Sequence, residues 1–198
     1  MKKLTLILSL LIISLLIFSC NKTEDENKEI SKEKTTKTEE KKEEPKLYYS
    51  ITSVESTSEN VLPNFSWDEN GKTVSINDYK GKVLLINLWA TWCGPCKKEI
   101  PDLMQISNDL KDKEFQMIGV SVLERDEKSL DNYLKTNPIT YKILYGKDDF
   151  VKGIEKSIKK KVEAIPMTLI VDKKFKIVEV IVGTRTKEDF MKLINKYL

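Results

Sequence analysis

The apolar run Val83-Leu84-Leu85-Ile86-Asn87-Leu88-Trp89 reaches Cys93-Gly94-Pro95-Cys96 after only three intervening residues, Ala90, Thr91 and Trp92. A run this short, rich in branched and aromatic residues and opened by Gly81-Lys82, predicts a buried strand. Pro95 inside the next pattern predicts the first turn of a helix. Cys93 therefore falls where a strand hands over to a helix. Several backbone N–H groups lack intrahelical partners there, and the aligned peptide dipoles add partial positive charge, so a thiolate is favoured over a thiol. That makes Cys93 the natural nucleophile. Cys96, one helical turn on, can attack a mixed disulfide formed at Cys93 and release the partner.

Other uses of two close cysteines fit less well. A structural zinc needs four ligands, and the chain has no histidine and only Cys20 besides this pair. A permanent structural disulfide closing so small a loop restricts the unfolded chain very little. No metal and no cofactor is expected, because the exchange needs only the two thiols.

The stretch from Lys82 through Trp92-Cys93-Gly94-Pro95-Cys96 to Lys97-Lys98-Glu99-Ile100-Pro101 resembles the membrane-tethered TlpA/ResA branch of thioredoxin-like proteins. The resemblance covers roughly residues 60–198. It implies an extracytoplasmic thiol-disulfide oxidoreductase, often a reductase serving cytochrome c maturation, with Cys93 and Cys96 cycling between dithiol and disulfide. It places Trp92, Gly94, Pro95, Ile165 and Pro166 at the substrate-binding face, with the Ile165–Pro166 bond cis. Thioredoxin carries a buried aspartate six residues before the first cysteine; here that position is Asn87, which cannot titrate. Glu99 matches an active-site glutamate of the ResA-like members, so proton transfer from Cys96 is expected to fall to it. An ordinary helix acid in the first turn is the competing reading of Glu99. A peroxidase on a related fold would want a threonine three residues before its cysteine and a nearby arginine. Thr91 stands two before Cys93, and Arg125 and Arg185 are the only arginines.

The N-terminal residues read as targeting sequence. Met1-Lys2-Lys3 is a positive start, and Leu4 to Phe18 is apolar but for Thr5, Ser9 and Ser14. As a helix that stretch would reach roughly 22 Å at about 1.5 Å per residue, short of a hydrocarbon core of roughly 30 Å. Residues 1–19 therefore read as a signal peptide. Ile17-Phe18-Ser19-Cys20 resembles a lipoprotein signal, although Phe18 is bulkier than usual, and implies lipidation of Cys20. Residues 20–59 are dominated by Lys, Glu, Thr and Ser and read as a disordered charged tether, within which Leu47-Tyr48-Tyr49-Ser50-Ile51 is either an extra strand or more tether.

From residue 60 to 198 a single α/β domain is expected, a thioredoxin-like fold with a central mixed sheet flanked by helices and an added N-terminal hairpin. Phe65-Ser66-Trp67 and Thr73-Val74-Ser75-Ile76 alternate about Glu69-Asn70-Gly71 as a hairpin would. Helix from Lys97 to Leu110, kinked at Pro101, strand from Phe115 to Val122 and helix from Glu127 to Lys135 predict right-handed βαβ crossovers. Further on, a short strand is expected over 141–145 and a lysine-rich helix over 149–161, for which the sequence offers no function. An antiparallel pair over 165–172 and 176–182 and a closing helix from Lys187 complete the domain.

Formal net charge is only +3, with lysines and acids interspersed, so nucleic acid is not an expected partner. The expected partners are protein disulfides, a membrane thiol donor resembling the CcdA/DsbD type, and the membrane through a lipid on Cys20, with the protein monomeric. Electron flow toward substrate is the first reading. A dithiol oxidase or isomerase using the same residues, and a binding lipoprotein whose cysteines are only structural, remain the alternatives.

Overall fold

The computed structural model describes residues 46–198. Three elements precede the strand that carries the site: β1 (Tyr49–Val54), then the hairpin β2 (Phe65–Glu69) and β3 (Lys72–Ser75). A 3-10 turn over Ile76–Tyr79 leads to β4 (Val83–Trp89), α1 (Gly94–Asp109), β5 (Phe115–Ser121), α2 (Glu127–Thr136), β6 (Lys142–Tyr145) and α3 (Asp148–Ile158). The chain closes with β7 (Met167–Val171), β8 (Ile177–Val182) and α4 (Lys187–Ile194).

All eight strands form one mixed sheet in the order β3-β2-β1-β6-β5-β4-β7-β8. The strands β1, β6, β5 and β4 run parallel to their neighbours within that group, whereas β7 runs antiparallel to β4. Every residue of β4 is buried, as a strand covered on both faces requires. Its alternating side chains divide between two layers. Leu84, Ile86 and Leu88 meet Phe65, Trp67 and the α3 residues Phe150 and Ile154 on one face. Val83, Leu85 and Trp89 meet Leu103 and Ile106 of α1, Leu130 of α2 and Phe190 of α4 on the other. The lysine-rich helix thus has a structural role, since α3 buries Phe150, Val151, Ile154 and Ile158 and turns its lysines outward.

One boundary differs from the expected layout. The tether assigned to residues 20–59 ends before Tyr49, because β1 pairs antiparallel with β2 and parallel with β6. The hairpin is therefore continuous with the main sheet through β1. Six strand residues beside a long charged stretch carry little compositional signal, and Ile51, 4% exposed, is the only fully apolar position they bury. The signal peptide over 1–19, the lipidation of Cys20 and the tether up to residue 45 lie outside the described residues.

Candidate active site

Cys93 sits at the N-cap of α1 with extended backbone (φ −81°, ψ 103°). Its Sγ accepts the Cys96 N–H at 3.2 Å, while its carbonyl accepts the Lys97 N–H at 3.2 Å to begin the helix. The sulfur therefore occupies the place where a helix most favours negative charge. Cys93 and Cys96 are joined as a disulfide. Both are buried in that state, Cys93 at 4% and Cys96 at 1% exposed, whereas Trp92 is 57% exposed. Gly94 and Pro95 are exposed between them. Pro101 lies inside α1, and the helix continues past it to Asp109.

Opposite the cysteines, the Ile165–Pro166 bond is cis, as the resemblance implied. Pro166 is buried and Ile165 partly exposed, with the Ile165 carbonyl oxygen 3.7 Å from Cys93 Sγ. The Pro166 carbonyl accepts the Gly183 N–H at the end of β8. The disulfide, Trp92 and this loop thus meet at one end of the sheet.

Glu99 is 3% exposed, which excludes the reading of it as a solvated helix acid. Its Oε1 accepts from Asn87 Nδ2 at 3.2 Å and its Oε2 from the Arg185 backbone N–H at 2.9 Å. Asn87 Nδ2 also donates to Thr168 Oγ1 at 3.0 Å. Burial pushes the Glu99 carboxyl up to about 7, and these two hydrogen bonds pull the other way without cancelling it. A depression of about 600 Å³ opens beside Glu99, between Gly94, Pro95 and Lys98 of α1 and the turn Thr184–Thr186.

Sequence reasoning missed a second carboxylate. Glu124 accepts from Thr91 N and Ser121 Oγ through Oε1, at 2.6 and 2.7 Å, and from Thr91 Oγ1 through Oε2 at 2.8 Å. Next to it, the Leu123 carbonyl accepts from Trp92 Nε1 at 3.0 Å. The loop after β5 therefore holds the loop before Cys93. A glutamate 33 residues beyond Thr91 in a polar loop has no spacing signal that could have announced this contact. Thr168 and Arg185 were missed for the same reason, since strand pairing and the turn after β8 bring them to Asn87 and Glu99.

The Redoxin family profile matches residues 57–195. The thiol-disulfide oxidoreductase ResA of Bacillus subtilis (strain 168) is 32% identical over 137 residues, which are 67% of this chain and 73% of that protein. The thioredoxin-like protein YneN of the same strain is 35% identical over 129 residues, 64% of this chain and 72% of its own. Among solved structures, a thioredoxin-family thiol:disulfide interchange protein from Chlorobium tepidum TLS is similar with a TM-score of 0.63 and 30% identity, covering 71% of this chain and 97% of that one.

Proposed function

The chain belongs to the Redoxin family and, with its Cys93–Cys96 pair, is a ResA-like thiol-disulfide oxidoreductase acting on protein disulfides; from that premise we propose that it works as a reductase outside the cytoplasm. The observation that carries the direction is the buried Glu99 one helical turn from Cys96. Strong dithiol oxidants stabilise their reduced, thiolate form. Here the α1 N-terminus favours the Cys93 thiolate, while a buried carboxylate one helical turn beyond Cys96 works against further negative charge on the pair, and the chain has no histidine to offset it. Gly94-Pro95, the thioredoxin dipeptide, supports the same direction.

In the proposed cycle the Cys93 thiolate attacks one sulfur of a substrate disulfide, forming a mixed disulfide and expelling the other sulfur as a thiolate. Cys96 gives its proton to Glu99 and attacks Cys93 Sγ. The second substrate thiol leaves, the Cys93–Cys96 disulfide forms, and two electrons have passed to the substrate. Trp92, Gly94, Pro95 and Ile165–Pro166 form the face on which the substrate chain lies, the Ile165 backbone being the group nearest Cys93.

Turnover then needs two electrons returned from a membrane thiol donor of the CcdA/DsbD type. The lipoprotein-like Cys20 signal and charged tether support attachment at the outer face of a membrane, with the domain working as a monomer because one chain supplies every group named. Cytochrome c maturation follows as a substrate pathway from the resemblance to the ResA branch. The test is the reduction potential of the Cys93/Cys96 couple: a value near about −270 mV supports a reductase, and one near about −120 mV would make the protein an oxidant. Trapping envelope proteins on the Cys96→Ala variant identifies the substrates.

A further inference from the structure

Leu123 combines two unfavourable features at one place. Its backbone is left-handed, with φ +57°, and its side chain is 45% exposed. The left-handed region crowds any side chain, and a bulky residue there is a true outlier. Such outliers persist where the surroundings enforce them and the site uses them.

The backbone bond does not require leucine. The Leu123 carbonyl accepts from Trp92 Nε1, and glycine would make that bond from the same conformation with no Cβ crowding. What glycine could not supply is the apolar side chain. With Trp92, 57% exposed and bonded to the Leu123 carbonyl, it makes an exposed apolar ridge next to Cys93, and neither residue lines the depression beside Glu99.

Leu123 also lines a second depression of about 390 Å³, shared with Glu124, Tyr145, Gly146 and, at the start of α3, Asp148 and Asp149. Gly146 is required by the core beneath, because a Cβ there would stand 2.8 Å from the buried Val120 Cγ1 and 2.9 Å from the buried Phe150 Cδ1. The surroundings are negative. Burial, then the charges of Glu127, Glu124, Asp126 and Asp148, push the Tyr145 phenol above its ordinary value. Lys147 is the one cation lining this depression among the described residues.

We propose that Leu123 is a specificity residue and that the ridge Trp92–Leu123, with the acidic depression beyond it, selects protein disulfides whose cysteine is flanked by an apolar side chain and then by a lysine or arginine. This rests on the thiol-disulfide exchange proposed above and names its substrate class. Trp92 is exposed and adjoins Cys93 in the chain, so the ridge is continuous with the face on which the proposed exchange places its substrate. The apolar residue covers Leu123, and the basic one meets Asp148 and Asp149.

The test uses the reduced full-length protein and four synthetic cysteine peptides, each as its mixed disulfide with glutathione. They carry Leu or Ser beside the cysteine and Lys or Glu beyond it, and the second-order rate of dithiol oxidation is read by tryptophan fluorescence. The Leu/Lys peptide should react about tenfold faster than Ser/Lys and about threefold faster than Leu/Glu. Leu123→Gly, which keeps the backbone conformation, should bring the Leu-to-Ser ratio toward one. Asp148→Asn with Asp149→Asn should do the same to the Lys-to-Glu ratio. Ratios within one variant cancel any loss of folded protein. Equal rates for all four peptides, or a Leu preference that survives Leu123→Gly, would overturn the assignment while leaving the exchange reaction standing. Failure of every peptide to oxidise a demonstrably reduced pair would instead overturn the exchange reading, and the specificity with it.

Discussion

Asn87 and Glu99 are hydrogen-bonded inside the core, Asn87 Nδ2 donating to Glu99 Oε1 at 3.2 Å with both residues almost wholly buried. An amide cannot ionise, so this pair concentrates the titration next to Cys96 in one group. The Asn87 amide is held in turn by Thr168, on the strand that follows the cis proline, so the proposed proton site and the proposed substrate face share a wall.

The first consequence is a pH-dependent stability. The Glu99 carboxyl is raised from 4.5 to about 7 on folding. Between those values the folded state keeps a proton that the unfolded state has lost, so stability falls as pH rises through this window and levels off above it. The full shift corresponds to no more than about 3 kcal/mol, reduced by solvent screening through the neighbouring depression. Glu99→Gln should melt near the parent temperature at pH 5 and several degrees above it at pH 8, the Gln oxygen keeping the Arg185 bond while a flip of the Asn87 amide meets its NH₂. Thermal unfolding at the two pH values checks this, and an equal offset at both would remove Glu99 as the titrating group.

The same titration should appear in the chemistry. Below about 7 Glu99 is protonated and cannot take the Cys96 proton; above it the carboxylate can. Resolution of a mixed disulfide at Cys93 should therefore accelerate through pH 7 in the parent and lose that step in Glu99→Gln, with a deficit of about tenfold near pH 8. General-base effects of roughly 10²–10⁴-fold set the ceiling. The deficit should shrink at higher pH as Cys96 ionises unaided. Stopped-flow release of the substrate thiol reads the rate, and identical profiles for the two proteins would leave Glu99 outside proton transfer.

Glu124 should act on the geometry of the Cys93 loop. Glu124→Ala strands the Thr91 N–H and the hydroxyls of Thr91 and the buried Ser121, each of which now donates to it. The expected cost is about 1–3 kcal/mol, with Glu124→Gln recovering part of it. Trp92 should become more mobile, since its Leu123 partner adjoins the lost clamp. Time-resolved fluorescence anisotropy of Trp92, in a background where Trp67 and Trp89 are replaced by Phe, measures this. Unchanged anisotropy would show that the Leu123 carbonyl alone fixes the indole.

Local chemistry made β4, the α1 N-terminus and the order of helices and strands legible, because hydrophobic period and the proline and cysteine positions act within a few residues. The role proposed for Glu99 rests on resemblance, and its contact with Asn87 spans twelve residues that a strand and a helix fold back together. Glu124 and Leu123 were not legible at all. Nothing in Val122-Leu123-Glu124-Arg125 reports a left-handed backbone or a hydrogen bond to a loop some thirty residues earlier. The same limit left β1 undecided between strand and tether, because its worth depends on two partners distant in the chain.

That strand yields the last prediction. β1 supplies Ile51 to the core, lays Tyr49 and Val54 against it, and bridges β2 to β6. A protein beginning at residue 59 would leave the β6 edge unpaired and the hairpin without a strand joining it to the main sheet, held by side-chain packing, the Glu69–Lys142 ion pair and its chain connections, exposing strand edges that favour association. A protein beginning at residue 46 keeps every described element. At about 2–4 °C per kcal/mol for a domain of this size, loss of a few kcal/mol should lower the melting temperature of the shorter form by about 10 °C, with visible aggregation on heating. Calorimetry and light scattering on the two forms decide it. If both melt together and stay soluble, β1 is an ornament on the sheet and the folded unit begins where the charged stretch ends.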